Sequence, residues 1–269
     1  MITTTKIIGR YDMLQIEILD PEEPGKAAKV FHRDGFVVVQ NALTASQLVT
    51  AQSGAERVIA QQMEQIPLDQ ANRGYARYSF GSQVHHSEWA RLIDNSSILP
   101  ILGAIWDSSE FVCSGAGGDY STPGAEIQKL HSDLGDFFND SLGFITVKDV
   151  PTPCIVVNYL MVEFTQMNGA TRFVPGTHRT RTPIPTLEEE PERFKQSFVC
   201  APAGTAIVRD VRCWHGGTAN TSDQIRPMLG VGYFAPWYRD SHFQPLLPLQ
   251  LYQTLSSQAQ HLARFLVKR

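Results

Sequence analysis

Chemistry is most concentrated in Glu126-Ile127-Gln128-Lys129-Leu130-His131-Ser132-Asp133. In an extended strand, residues i and i+2 face the same side. His131 and Asp133 therefore offer an imidazole nitrogen and a carboxylate oxygen to one ion. Two imidazoles and one carboxylate on one face of an ion, with the other positions open, is a donor set used by non-haem Fe(II). The pair is one histidine short. A His-x-Asp triplet also fits a strand end whose side chains bond to backbone, so the metal reading depends on the missing donor.

That donor must come from a later strand or its end. His215, in Arg212-Cys213-Trp214-His215-Gly216-Gly217, is the best placed. Gly216 and Gly217 would let backbone pass close to a ligand. Arg226 then opens Arg226-Pro227-Met228-Leu229-Gly230-Val231-Gly232-Tyr233-Phe234. On a strand, Met228, Gly230 and Gly232 share the face of Arg226. A guanidinium beside two glycines leaves room for a ligand, and arginine grips a carboxylate through two parallel hydrogen bonds. A metal-chelating keto acid with a distal carboxylate, 2-oxoglutarate, meets that description.

The elements that must carry these groups are short strands. Residues 111–114, 126–133, 152–164, 171–175, 198–201, 205–211 and 226–234 read as strands separated by Gly, Pro, Asn and Asp, the texture of a sandwich or barrel. Before them, residues 27–34 read as a short helix and Phe36-Val37-Val38-Val39 as a buried strand. Thr44 and Gln47 form a capping box opening a long amphipathic helix to Ile66. Residues 69–86 read as a surface loop or part of a substrate mouth. Residues 89–106 read as a helical region broken at Pro100. The acidic run 188–192 reads as a solvated loop, and residues 248–269 as one closing helix. With no repeat or clear linker, one domain spans 1–269: a leading arm 1–25, a mostly helical flank 26–110, a β core 111–240 and a C-terminal helix 241–269.

The chain resembles the phytanoyl-CoA dioxygenase family of Fe(II)/2-oxoglutarate oxygenases. The likeness rests on Phe31-His32-Arg33-Asp34-Gly35-Phe36, on Asn168-Gly169-Ala170-Thr171-Arg172-Phe173-Val174-Pro175-Gly176-Thr177-His178, and on Trp214-His215-Gly216-Gly217-Thr218, with Arg226 following. It implies a mainly β fold with flanking helices, whose core is a double-stranded β-helix, the cupin-like jelly roll. Carried across, it makes His131, Asp133 and His215 the Fe(II) ligands and the catalytic centre. Arg226 becomes the partner of the 2-oxoglutarate distal carboxylate. Gln128 and Thr171 become further candidates to touch that co-substrate, against the alternative of structural hydrogen bonds. His178 sits in a shared motif but more simply shapes a loop. The implied reaction consumes O2, releases succinate and CO2, and oxidises a C–H bond by hydroxylation or a related outcome. Because Asp133 fills the third ligand position, the halogenase variant of this chemistry is disfavoured, and no donor behind that position is evident to hold a halide.

Composition limits the partners. Among 269 residues, 42% are hydrophobic and 19% charged, with a net charge of −4 and no basic run, so nucleic acid is excluded as an expected partner. The apolar run from Cys154 to Met161 is too short to cross a bilayer. The first twenty residues lack a secretory pattern, and the four scattered cysteines read as reduced thiols, so a cytoplasmic enzyme is expected. Aromatics in 73–86, 137–140 and 237–239 suit a small organic substrate, such as a natural-product intermediate, over an acyl-CoA or a small polar metabolite; a homodimer is left open. Two other classes stand beside this one: a cupin-like isomerase or hydrolase using another metal as Lewis acid, and a silent jelly-roll binding module.

Overall fold

The apolar runs resolve into a seven-stranded sheet covered on both faces. The computed structural model describes residues 16–138, 140–241 and 243–268. Of the expected leading arm, residues 1–15 lie outside that range, as do Asn139, His242 and Arg269. In chain order the elements are β1 (Ile18–Leu19), α1 (Pro24–Asp34), β2 (Phe36–Val39), α2 (Ala45–Gln65), β3 (Arg77–Ser79), α3 (Ser87–Ala90) and α4 (Leu99–Trp106). Then follow β4 (Val112–Ser121), β5 (Cys154–Leu160), β6 (Thr171–Phe173), α5 (Glu192–Lys195), β7 (Ala206–Asp210), β8 (His215–Gly217) and β9 (Arg226–Phe234). The chain closes through β10 (Leu247–Pro248), α6 (Leu249–Thr254), α7 (Ser257–Ala263) and β11 (Val267–Lys268).

The large sheet runs β1-β2-β7-β5-β9-β4-β3, antiparallel except where β1 meets β2. Strand alternation sends Val37, Val39, Val157, Tyr159, Val208, Val231 and Tyr233 outward into a core with α1, α2 and α4. The opposite parity sends Phe36, Val38, Leu160, Ile207 and Met228 inward against Phe164, Phe173, Val199 and Ala201. Those last residues belong to a second, short layer in which β6 pairs with β8, extended by bridges at His131↔His215 and Arg172↔Phe198. Two layers over one core make the expected jelly roll. The inner residues of the large sheet change character along their length. At one end they are bulky; at the other they are Val156, Asn158, Arg209, Gly230 and Gly232, which line a cavity of about 700 Å³.

Several expectations need correction. Residues 126–133 are not a regular strand. Gln128 donates to Gly217 and His131 to His215, so three residues on this side oppose two on β8. The extra residue interrupts the ladder as a bulge does. Residues 69–86 are not a surface loop throughout: β3 lies within them, and Arg77, Tyr78 and Phe80 are buried. Pro100 opens α4 in place of breaking it, since the first helical turn needs no N–H from that residue. The closing helix is two, because Ser256 caps α7 by accepting from the Ala259 N–H at 3.0 Å. After α7 the chain turns to pair β11 with β10. The acidic run is only partly solvated: Glu190 is buried and ion-paired with buried Arg172.

His178 lies in a short 3-10 turn packed on the αL glycine that ends α1. A methyl on Gly35 (φ 84°) would come within 2.6 Å of the His178 Nδ1. Burial pushes the His178 imidazole down to about 4 from its ordinary 6.5. As pH falls through 6.5 the unfolded chain takes up this proton, whereas the folded chain does so only near 4, so stability is lost between those values. Urea titrations at pH about 7 and about 5 should show the wild type losing roughly 1–2 kcal/mol relative to His178→Gln. Equal losses in the two proteins would show that His178 does not titrate this way.

Candidate active site

Both histidines reach the cavity from the second layer. His131 and His215 exchange backbone hydrogen bonds of 3.0 Å in each direction. Their rings consequently lie side by side, with centroids 4.3 Å apart. Phe173 on β6 stacks on the His215 ring at 5.8 Å. The His215 Nδ1–H donates to the Cys213 carbonyl at 2.9 Å, and His131 Nδ1 faces the Lys129 carbonyl at 3.3 Å. These bonds fix the tautomer and turn each Nε2 lone pair toward the same point. Asp133 Oδ1 lies 3.7 Å from Nε2 of His131 and 3.6 Å from Nε2 of His215. The three donor atoms lie within 4.8 Å of one another, and among the described residues no other such cluster of His, Cys, Asp or Glu occurs.

Arg209, which sequence reasoning missed, holds the carboxylate. Its Nη1 lies 2.7 Å from Asp133 Oδ2, and its Nε donates to Asn158 Oδ1 at 3.0 Å. One carboxylate oxygen is taken by the guanidinium while the other faces the histidines. This is a donor behind the ligand position, contrary to the expectation that none exists. Burial works to raise the Asp133 carboxyl, but the Arg209 guanidinium outweighs it and holds the group well below the usual range. Burial, reinforced by Arg209, depresses His215 and keeps its imidazole neutral and able to bind metal. The signal was present in the sequence. An arginine sharing the inward parity of Ile207 in an apolar strand must have a buried partner.

Arg226 lies on β9 at the other end of the cavity, 1% exposed, and its Nε and Nη1 have no hydrogen-bond partner. The guanidinium packs over the Phe164 ring at 4.7 Å. Burial, then the repulsion of Arg77, pushes its pKa down to about 9. A buried guanidinium left without acceptors costs several kcal/mol, on the order of 3–5, unless an anion completes it. Arg77 donates Nη2 to the carbonyls of Glu126 and Thr218, at 3.0 and 2.8 Å.

The remaining expected residues distribute as follows. Thr171 lines the same cavity. Gln128 also lines it, with its amide engaged by backbone: Oε1 accepts from the Gly217 N–H at 3.0 Å and Nε2 donates to the Arg73 carbonyl at 3.2 Å. The glycines after His215 admit protein and not ligand. A methyl on Gly216 would press on the Lys129 and Gln128 carbonyls, and one on Gly217 would strike the Arg77 guanidinium. His178 lies outside the triad. Of the expected mouth residues, Arg73 and Arg77 line the cavity, whereas Phe137, Phe138 and Trp237 are exposed beside it. Phe137 touches Tyr238, which packs edge-on against the cavity residue Phe234 at 5.3 Å.

A jelly roll with two histidines and a carboxylate converging at one end of its large sheet defines the class: a cupin-like fold with a candidate metal site. The phytanoyl-CoA dioxygenase (PhyH) profile matches residues 31–228, and the chain belongs to that family. Dioxygenase af480 of Aspergillus fumigatus is 28% identical over 183 residues, covering 65% of this chain and 54% of that protein. The iron/alpha-ketoglutarate-dependent dioxygenase okaE of Penicillium ochrochloron is 30% identical over 101 residues, 38% of this chain and 31% of that protein. The chain spans about half the length of the curated relatives it matches. Among solved structures, the epimerase SnoN in complex with Fe3+, alpha ketoglutarate and nogalamycin RO superposes with a TM-score of 0.62 at 18% identity, covering 83% of this chain and 88% of that one. That likeness is one of fold.

The Arg209 clamp predicts a metal effect. Arg209→Gln should weaken Co(II) binding by about 10- to 100-fold, read by titrating the apoprotein and following the cobalt absorption bands. Unchanged affinity would show that Asp133 keeps its orientation unaided.

Proposed function

We propose that the chain is an Fe(II)/2-oxoglutarate-dependent dioxygenase that oxidises an unactivated C–H bond of a small organic metabolite. The observation that carries this reading is one cavity holding both a metal-ligating triad and, at its far end, a buried guanidinium lacking acceptors. His131, Asp133 and His215 would hold the iron. The donor set fits: two imidazoles and a carboxylate on one face leave the opposite face for ligands. Bound iron, with O2 and 2-oxoglutarate, supplies the oxidising power, the keto acid leaving as succinate and CO2.

The protein's own residues supply geometry. Arg226 takes the distal carboxylate of the keto acid through its unmatched Nε–H and Nη1–H, which sets the length of ligand that reaches the triad. Phe164 behind the guanidinium and the buried surroundings exclude water from that pair. Thr171 is close enough to the cavity to add a hydrogen bond, while Gln128 acts mainly by holding the Gly217 backbone. Arg209 keeps Asp133 turned to one side. The substrate would lie along the part of the cavity lined by Phe234 and Asn158.

A multi-ring natural-product intermediate fits better than an acyl-CoA, since the cations in the cavity are already engaged or assigned to the keto acid. Solved neighbours of the same fold include an epimerase from nogalamycin biosynthesis. A cytoplasmic setting suits four free cysteines, three of them buried; among the described residues no helix is long and apolar enough to cross a membrane.

Succinate release from 2-oxoglutarate, with and without Fe(II), tests the reaction; iron-independent release or none would sink it. His131→Ala, Asp133→Ala and His215→Ala should each abolish release in folded protein, whereas His178→Ala retains it. Loss of iron from the His178 variant alone would reverse the ligand assignment. Arg226→Lys keeps charge but loses the planar fork, so the KM for 2-oxoglutarate should rise by about tenfold or more, the effect of one lost charge-assisted bond. An unchanged KM would place the keto acid elsewhere.

A further inference from the structure

We propose that the cavity receives the flat face of a fused-ring substrate laid on a bare stretch of the large sheet, and that Gly232 keeps that space open. This deepens the reading above and rests on it. The cross-strand register defines the surface. Arg209, which holds Asp133, pairs with Val156; Val156 pairs with Gly232; and Gly232 pairs with Gly115. The adjacent inward row runs Asn158, Gly230, Gly117. Beyond Val156 and Asn158, therefore, four inward positions on two neighbouring strands carry no side chain, and all four line the cavity. Strands lie roughly 4.8 Å apart and alternate residues roughly 7 Å apart. Gly115, Gly230 and Gly232, with the Gly81 carbonyl covering Gly117 at the edge, span about two fused six-membered rings, starting about two strands from the arginine that holds Asp133.

Two of these glycines have reasons in the backbone. A methyl on Gly117 would strike the Gly81 carbonyl oxygen, and Gly115 has φ 150°, where other residues are strained. Gly230 and Gly232 lie in the regular part of β9 and have no positive φ. A methyl on Gly230 would meet the Asn158 amide at 3.3 Å, and one on Gly232 would strike the Ser114 hydroxyl, the end of a short rotatable side chain. Glycine within a strand gives up packing and ordering entropy, and often marks a close ligand approach. At Gly232 the fold's own close contact is that one hydroxyl. A linear chain needs a groove one residue wide and would leave half this floor without contact; a flat ring system covers it.

Phe234, Phe243, Leu246 and Leu266 give the cavity apolar wall, beside the carboxylates of Asp119 and Asp240. Arg209 is occupied by Asp133 and Arg77 by two carbonyls, and Arg73 lies 3.8 Å from Asp119. Arg226 is assigned to the keto acid, so the cavity offers little to a nucleotide phosphate.

The test uses protein loaded with Ni(II) and 2-oxoglutarate, titrated calorimetrically with 2-naphthol, 2-decalol and testosterone, and in parallel with 1-decanol and decanoyl-CoA. At least one ring compound should bind about tenfold or more tighter than either linear probe, and Gly232→Ala should weaken it by roughly 10- to 200-fold, the range for one methyl group in a fitted pocket. The linear probes should change by less than about threefold, because a chain can shift along the floor. Adding Ser114→Ala should not restore ring binding. Tightest binding by a linear probe, no binding by any ring compound, equal losses for rings and chains, or rescue by Ser114→Ala would each overturn the proposal. Failure of the wild type to take up 2-oxoglutarate during loading would instead overturn the reading on which it rests, before any probe is added. Near-UV circular dichroism confirms that each variant is folded.

Discussion

Everything at the site depends on a pair of backbone hydrogen bonds, His131 to His215 and back. The two residues are far apart in the chain, and neither belongs to the large sheet. The reciprocal bonds bring their imidazoles into one register, and the local bonds at each Nδ1 point both Nε2 atoms the same way. With the bulge at residues 129–130, the following turn delivers Asp133 across to Arg209 on the other layer. The triad is consequently a bridge between the two layers. A slip of one residue in this pairing would turn a histidine out of the cavity and leave Arg209 without its anion.

Much of this was legible in the sequence, for physical reasons that differ by residue. Strand parity and a charge beside glycines were enough to single out Arg226 with Gly230 and Gly232. His215 was found because glycines after a histidine mark a close backbone approach, although what approaches is Arg77 and the Gln128 segment. The capping box at Thr44 and Gln47 is present as read, with the Gln47 N–H on the Thr44 hydroxyl at 3.3 Å. The misses have different causes. Arg209 shares the inward parity of Ile207, which was readable, whereas Arg77 and Glu190 are charges whose partners are distant in sequence, so their burial cannot be read locally. Tyr78 and Phe80 lacked a clear period because β3 is only three residues long. The break in the C-terminal helix falls at Ser256, a good N-cap residue that the reading of 248–269 as one helix passed over.

The glycine-bearing sheet and the engaged arginines describe a site with two polar points along the sheet face, Asp133 with Arg209 and the buried Arg226, while Arg73 with Asp119 adds a paired charge to its lining. Between the two points lie Val156, Asn158 and bare backbone whose polar groups are consumed in the ladder. A cavity built this way fixes the reagent tightly and the substrate by shape, which separates the part of the sequence that must stay constant for the chemistry from the part that can vary with the substrate.

The Arg172–Glu190 pair has a consequence for how such a sequence can drift. Both side chains are fully buried, and the same guanidinium also donates to the Gln128 carbonyl, three residues before His131. Losing either partner leaves an uncompensated charge in the interior, at a cost of about 3–5 kcal/mol, whereas a matched apolar pair can be nearly neutral. A lineage cannot cross between those two solutions one substitution at a time without passing through a poorly folded intermediate. The two positions, eighteen residues apart, should therefore be inherited as a unit, and the acidic loop that carries Glu190 can be exchanged between relatives only together with the strand that carries Arg172.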